Sequence, residues 1–170
     1  MKKNLYIIFA IVMLIVLGTG CARSNDEQAE SLYRHGLKFD NQSNWLEAIS
    51  FYDKIIEQYS KYPEAELQEQ VARAYSYKGH ALYRLGKADD AITNYNQMLN
   101  HFDQSKTKAV QLYVADVIFK KGFTLDMLNK NADALVCYEE IIKKFNTPEF
   151  PNIKDTVSLA VAGREGKFKK

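Results

Sequence analysis

Three histidines, two cysteines and one adjacent aspartate pair are the side chains of this 170-residue sequence best suited to catalysis or metal binding. His35, His80 and His101 lie in different kinds of position. No two stand at the i, i+4 spacing that sets two imidazoles on one helix face, and none has a carboxylate at ligand spacing. There is no Cys-x-x-Cys, no glycine-rich phosphate loop and no Gly-x-Ser-x-Gly. Asp89 and Asp90 open a helical pattern, where negative charge is favourable on its own account. The chain therefore reads as a protein without catalytic residues, metal or cofactor, and with no small-molecule substrate. Its terminal "KFKK" reads as a solvated tail.

The cysteines separate by context. "MKKNLYIIFAIVMLIVLGTGC" has two lysines, an apolar run of 13 residues from Leu5 to Leu17, and small residues ending at Cys21. That is the layout of a secretory signal, and the run is short for a bilayer span, which needs about 20 residues. The cysteine after "GTG" resembles a bacterial lipobox, although Gly18 stands where leucine is usual. The resemblance implies a signal peptide over 1–20 and a Cys21 acylated as the first mature residue, as in a palmitate-bearing lipoprotein. An uncleaved N-terminal anchor is the alternative. Either places the domain in the cell envelope, tethered and facing the periplasm or exterior. Cys137 sits in a helical pattern and reads as a small buried hydrophobe. Formal net charge is +2, and Lys2 and Lys3 supply the excess. A neutral domain lacks the basic face that nucleic acid requires.

The elements that would position any site repeat. Gly36, Gly79 and Gly122 are 43 residues apart, and so are Ala48, Ala91 and Ala134, and Tyr52, Tyr95 and Tyr138. Ala29, Ala72 and Ala115 keep the step, as do Tyr59, Phe102 and Phe145. A fixed period of this length means stacked supersecondary units. Each unit has a first helix with a small or apolar face, such as Ala72, Tyr75, Gly79, Leu82 and Leu85. A turn follows at Ser43, Gly86 or Asn129, residue types at home in or tolerant of helix-ending turns. The second helix then carries a face such as Ala91, Ile92, Tyr95, Met98, Leu99 and Phe102. The glycine is expected to lie opposite the alanine twelve residues on, with the tyrosine closing the neighbouring gap. Pro63 and the acidic residues after it predict an early start to the first helix.

"KGHALYRLGKADDAITNYNQML", Lys78 to Leu99, resembles the tetratricopeptide repeat: Gly79, Leu82, Ala91 and Tyr95 match its pattern, and Met98 replaces an alanine. The repeat is nine residues longer than the usual 34. The resemblance implies an all-α, right-handed superhelical array of antiparallel helix pairs. Its parts are a lipidated cysteine and linker over 21–28 and a domain over 29–170. The domain holds repeats at about 29–71, 72–114 and 115–157, and a partial fourth unit over 158–170; "DTVSLAVAGRE", residues 155–165, reads as a helix that caps the array, with a repeat cut short as the alternative. It further implies a protein-binding scaffold whose first helices line a groove for a peptide or protein segment. By helical spacing the groove candidates are Tyr33, Leu37, Arg73, Ser76, His80, Tyr83, Arg84, Asp116, Phe119, Phe123, Asp126 and Met127. A structural or self-associating protein acting through its convex face is the alternative.

Overall fold

The computed structural model describes residues 25–102 and 104–168. The segment read as a signal peptide and Cys21 lie outside the described residues. Among the described residues seven α-helices follow one another: α1 over 25–41, α2 Trp45–Tyr59, α3 Ala65–Arg84, α4 Ala88–Phe102, α5 Lys108–Met127, α6 Asn131–Phe145 and α7 Lys154–Arg164. A 3-10 turn, Pro151–Ile153, leads into α7. Among the described residues all regular structure is helical. Helix α1 already includes residues 25–28, which the sequence suggests as linker.

The first helices are long, as the early start predicts. Helices α3 and α5 have 20 residues each, against 15 for α2, α4 and α6. Glu64, directly after Pro63, is the extended residue before α3, and Glu66 lies in its first turn near the positive end of the helix dipole.

All three hairpin turns use one device. Ser43, Gly86 and Asn129 adopt φ of 59°, 76° and 59°. The next residue's N–H then reaches back over the helix end: Asn44 to Phe39 O at 2.9 Å, Lys87 to Leu82 O at 3.0 Å, Lys130 to Leu125 O at 2.9 Å. These bonds satisfy carbonyls that the helix leaves without partners. Helix α7 ends the same way, with Gly166 at φ 71° and Lys167 N–H on Ala162 O at 3.0 Å.

Each glycine faces the tyrosine expected to close the gap beside it. The atoms nearest a Cβ built on Gly36 belong to Tyr52, at 2.7 Å; on Gly79 they belong to Tyr95, and on Gly122 to Tyr138, at 2.9 Å. Ala48, Ala91 and Ala134 are buried as well. The tyrosine lies one turn beyond the alanine on the same helix face, and only its ring needs the whole depth that a missing Cβ opens.

Stacking sets the curvature. Helix α3 packs on α5 and α5 on α7, while α2, α4 and α6 make their main contacts with the first helices flanking them. First helices therefore form the tighter, inner layer. Helix α7 keeps the register through Val157 and Ala160, both buried in columns with Val71, Val114, Ala74 and Val117. Beyond these it departs. The period places Glu165 at the glycine position, yet Gly163 is the residue against the Tyr138 ring, at 2.5 Å for a built Cβ. Tyr138 thus sits between Gly122 and Gly163.

A glutamine braces each of the first two inter-unit loops. The Gln68 amide donates to Tyr62 O, and Gln111 donates to Ser105 O at 2.6 Å, the same bond one period later.

Candidate functional site

Four columns of side chains line the inner layer, each stepping by 43 residues: Glu30, Arg73, Asp116; Tyr33, Ser76, Phe119; Leu37, His80, Phe123; and Asp40, Tyr83, Asp126. Helical spacing of three and four places them on one face of α1, α3 and α5.

Part of this face is used up in joining units. Arg73 bonds the Glu30 carboxylate and the Gln70 side chain and lies over the Tyr33 ring at 3.6 Å. Burial alone would raise the Glu30 carboxyl, but hydrogen bonds from Arg73 and Arg34 hold it below its ordinary range. Tyr33 is buried and packs edge-on against Tyr77 at 5.3 Å. Ser76 is fully buried, donates to Asp116 at 2.5 Å and accepts from Lys120 at 2.8 Å; Lys120 also reaches Asp116 at 2.7 Å. Asp126 is buried and accepts the Tyr138 hydroxyl at 3.4 Å. Tyr33, Arg73, Ser76 and Asp126 are therefore inter-helix ties rather than open wall, and Asp116 is shared between tie and surface. A periodic column reads which face a residue occupies, but not whether the next unit covers it.

The open remainder is aromatic and cationic. His80, Tyr83, Arg84, Tyr95, Phe119, Lys120, Phe123 and Thr124 surround a hollow of about 180 Å³ between α3 and α5. Tyr83, Phe119 and Phe123 are half-buried, Leu37 likewise, and Met127 is exposed. Tyr83 meets Phe123 edge-on at 6.0 Å. Arg84 lies over the Trp45 ring at 4.9 Å, and Trp45 also meets His80 edge-on at 6.3 Å. Burial, with Lys120 nearby, lowers the His80 imidazole below its ordinary value and so favours its neutral form.

Asp40, Trp45 and Lys120 belong to this site and escape the sequence reading. Asp40 was accessible through its column with Tyr83 and Asp126, and Lys120 through its i, i+4 relation to Asp116. Trp45 has no counterpart at the 43-residue step, since Ala88 and Asn131 stand there.

Asp40 also marks a stability cost. One of its oxygens is buried without a hydrogen-bond partner, as is the Tyr52 hydroxyl. Burial raises its carboxyl above the ordinary 3.8, with His80, Arg84 and Lys120 pulling it back. A raised folded value means that folding favours the neutral acid. The stabilising contribution is complete below the unfolded value and is lost as pH rises through the folded one. Asp40→Asn, neutral throughout, is expected to melt higher than the wild type at pH 7. The gain should shrink as pH falls and vanish below 3.8. A pH-independent difference in melting temperature would refute this.

Cys137 is buried and unpaired among the described residues, and burial pushes its thiol up, away from reactivity. Among the described residues no group of three or more histidine, cysteine, aspartate or glutamate side chains could hold a metal ion. No described helix is long and apolar enough to cross a membrane.

Comparison with known families gives two matches. Residues 47–140 match the family described as Proteasome activator PA28, C-terminal, over more than half of the chain, from within α2 to within α6. Residues 30–62 match the tetratricopeptide repeat, a stretch that spans most of α1, its turn and all of α2. No curated protein matches the chain. By the extent of the first match the chain belongs to the family so described, and by the matched hairpin, repeated every 43 residues, it is a tetratricopeptide-repeat-type protein.

Proposed function

We propose that this protein is a protein–protein interaction scaffold that holds a peptide or protein segment in its inner groove. The observation that carries this is the hollow between α3 and α5. Tyr83, Phe119 and Phe123 stay only partly covered there, beside Arg84 and Trp45. Aromatic and arginine side chains in a concave, part-desolvated setting are the usual anchors of protein interfaces. The activation named in the PA28 description is a property of the proteins so described, and this reading does not draw on it. The tether proposed with it is a lipid on Cys21, which would hold the scaffold at the surface of a bacterial envelope membrane.

A second reading places the interface on the convex side. Leu135 and Val136 of α6 are 39% and 63% exposed, next to a hollow lined by Ile92, Leu125 and Val136. A photoreactive p-benzoylphenylalanine at Tyr83 and, separately, at Val136 separates the two. Capture of a partner through position 83 supports the groove. Capture through position 136 alone supports the convex face. For the tether, a palmitate analogue should label wild-type cells and leave Cys21→Ser unlabelled, and equal labelling would remove it.

A further inference from the structure

The inner groove already contains one occupant from the chain itself. After α7 ends at Arg164 and the backbone turns at Gly166, Phe168 lies against three rings of the preceding unit. It meets Phe119 at 6.1 Å and Phe123 at 5.7 Å, and Tyr138 at 6.2 Å, all edge-on. By the 43-residue step Phe168 falls in the column of Leu82 and Leu125, which are buried on their helices. Helix α7 stops before reaching it, so the ring is delivered by a turn rather than a helix and stays half-buried.

Phe119 and Phe123 stack on each other at 6.4 Å and form a ridge with two sides. One side faces the hollow with His80 and Tyr83; Phe168 covers the other. Its edge-on arrangement is the one aromatic quadrupoles favour, so the ridge is shaped for one more ring.

We propose that the Phe119–Phe123 ridge is a docking site for a partner segment presenting an aromatic side chain, and that Phe168 holds this site in cis until such a segment displaces it. The proposal deepens the groove reading above and rests on it. A tethered occupant is present at high effective concentration, and the apparent affinity of an external ligand falls by the fraction of molecules whose site is open. The ridge is thereby kept from indiscriminate apolar contact, and a segment opens it only when its affinity or its concentration outweighs the tether.

The probe is the capped, dye-labelled peptide acetyl-GKFKK-amide, the tail's own residues 166–170, with acetyl-GKAKK-amide as control. Each is titrated against the full chain and against Phe168→Ala by fluorescence anisotropy. The phenylalanine peptide should bind Phe168→Ala at least about tenfold more tightly than wild type, and the alanine peptide should bind neither. Equal affinities, or no binding by a Phe168→Ala chain whose circular dichroism is unchanged, would overturn the proposal. A chain carrying 4-fluorophenylalanine at position 168 tests it without removing the ring. Saturating phenylalanine peptide should move the ¹⁹F resonance toward its solvent-exposed position, and an unmoved resonance also overturns the proposal. Crosslinking through position 83 is scored separately, so the ridge proposal can fail while the groove reading stands.

Discussion

Gly79→Ala is expected to destabilise the protein, although alanine is the better helix former by about 1 kcal/mol. The added methyl would overlap the Tyr95 ring, which is 1% exposed and would have to shift within its packing to admit it. Overpacking of this kind costs roughly 1–3 kcal/mol. Each kcal/mol lowers the melting temperature by about 2–4 °C in a chain of this size. The same change at Gly36 and Gly122 should cost less, since the built Cβ stands 2.7 and 2.9 Å from its nearest neighbour there. The discriminating measurement is a double-mutant cycle. Tyr95→Leu alone destabilises by leaving a cavity, but in the Gly79→Ala background it should recover part of the loss, a coupling that independent effects cannot produce. Additive melting shifts would show that the glycine does not exist for the ring.

Tyr138→Ala should be the most damaging single substitution, at about 3–5 kcal/mol. The ring is 1% exposed, wedged between Gly122 and Gly163, edge-on to Phe168, with its hydroxyl on Asp126. Removing it empties the joint between the third unit and α7 and leaves the buried Asp126 carboxylate short of a donor, a separate penalty. Hydrogen exchange should show the damage as a gradient: α7 amides lose protection first, those of α6 and α5 next, and those of α2 and α3 least. Uniform loss across all helices would mean that the array unfolds as one unit and that this joint has no local identity. Nearest-neighbour coupling in stacked repeats predicts the gradient.

The sequence made the architecture readable to an uneven depth. Gly36, Gly79 and Gly122 and the turns at Ser43, Gly86 and Asn129 announced the hairpins, because a small residue or a left-handed turn is imposed locally and recurs with the period. The tyrosine at each glycine was legible from the shared period, but positions 91 and 95 share a helix face, and only packing decides how deeply the ring enters the gap. In the groove, the columns were legible but their fates were not. Arg73 and Ser76 look as free as His80 until the neighbouring helix supplies Glu30 or Asp116, and that offset between units is a tertiary fact. Phe168 was hidden for the opposite reason: the period assigns it a helical place that α7 is too short to provide.

Trp45 is the chain's sole tryptophan, and it stands at the groove between the Arg84 guanidinium and the His80 imidazole. The protein thus carries its own optical gauge. Intrinsic emission comes from one indole beside the candidate pocket, so any guest that shifts Arg84, or any acidification that charges His80, should change its colour or brightness. Unlabelled protein can therefore be screened against candidate segments in a cuvette, with the remaining aromatic residues dark at the excitation red edge.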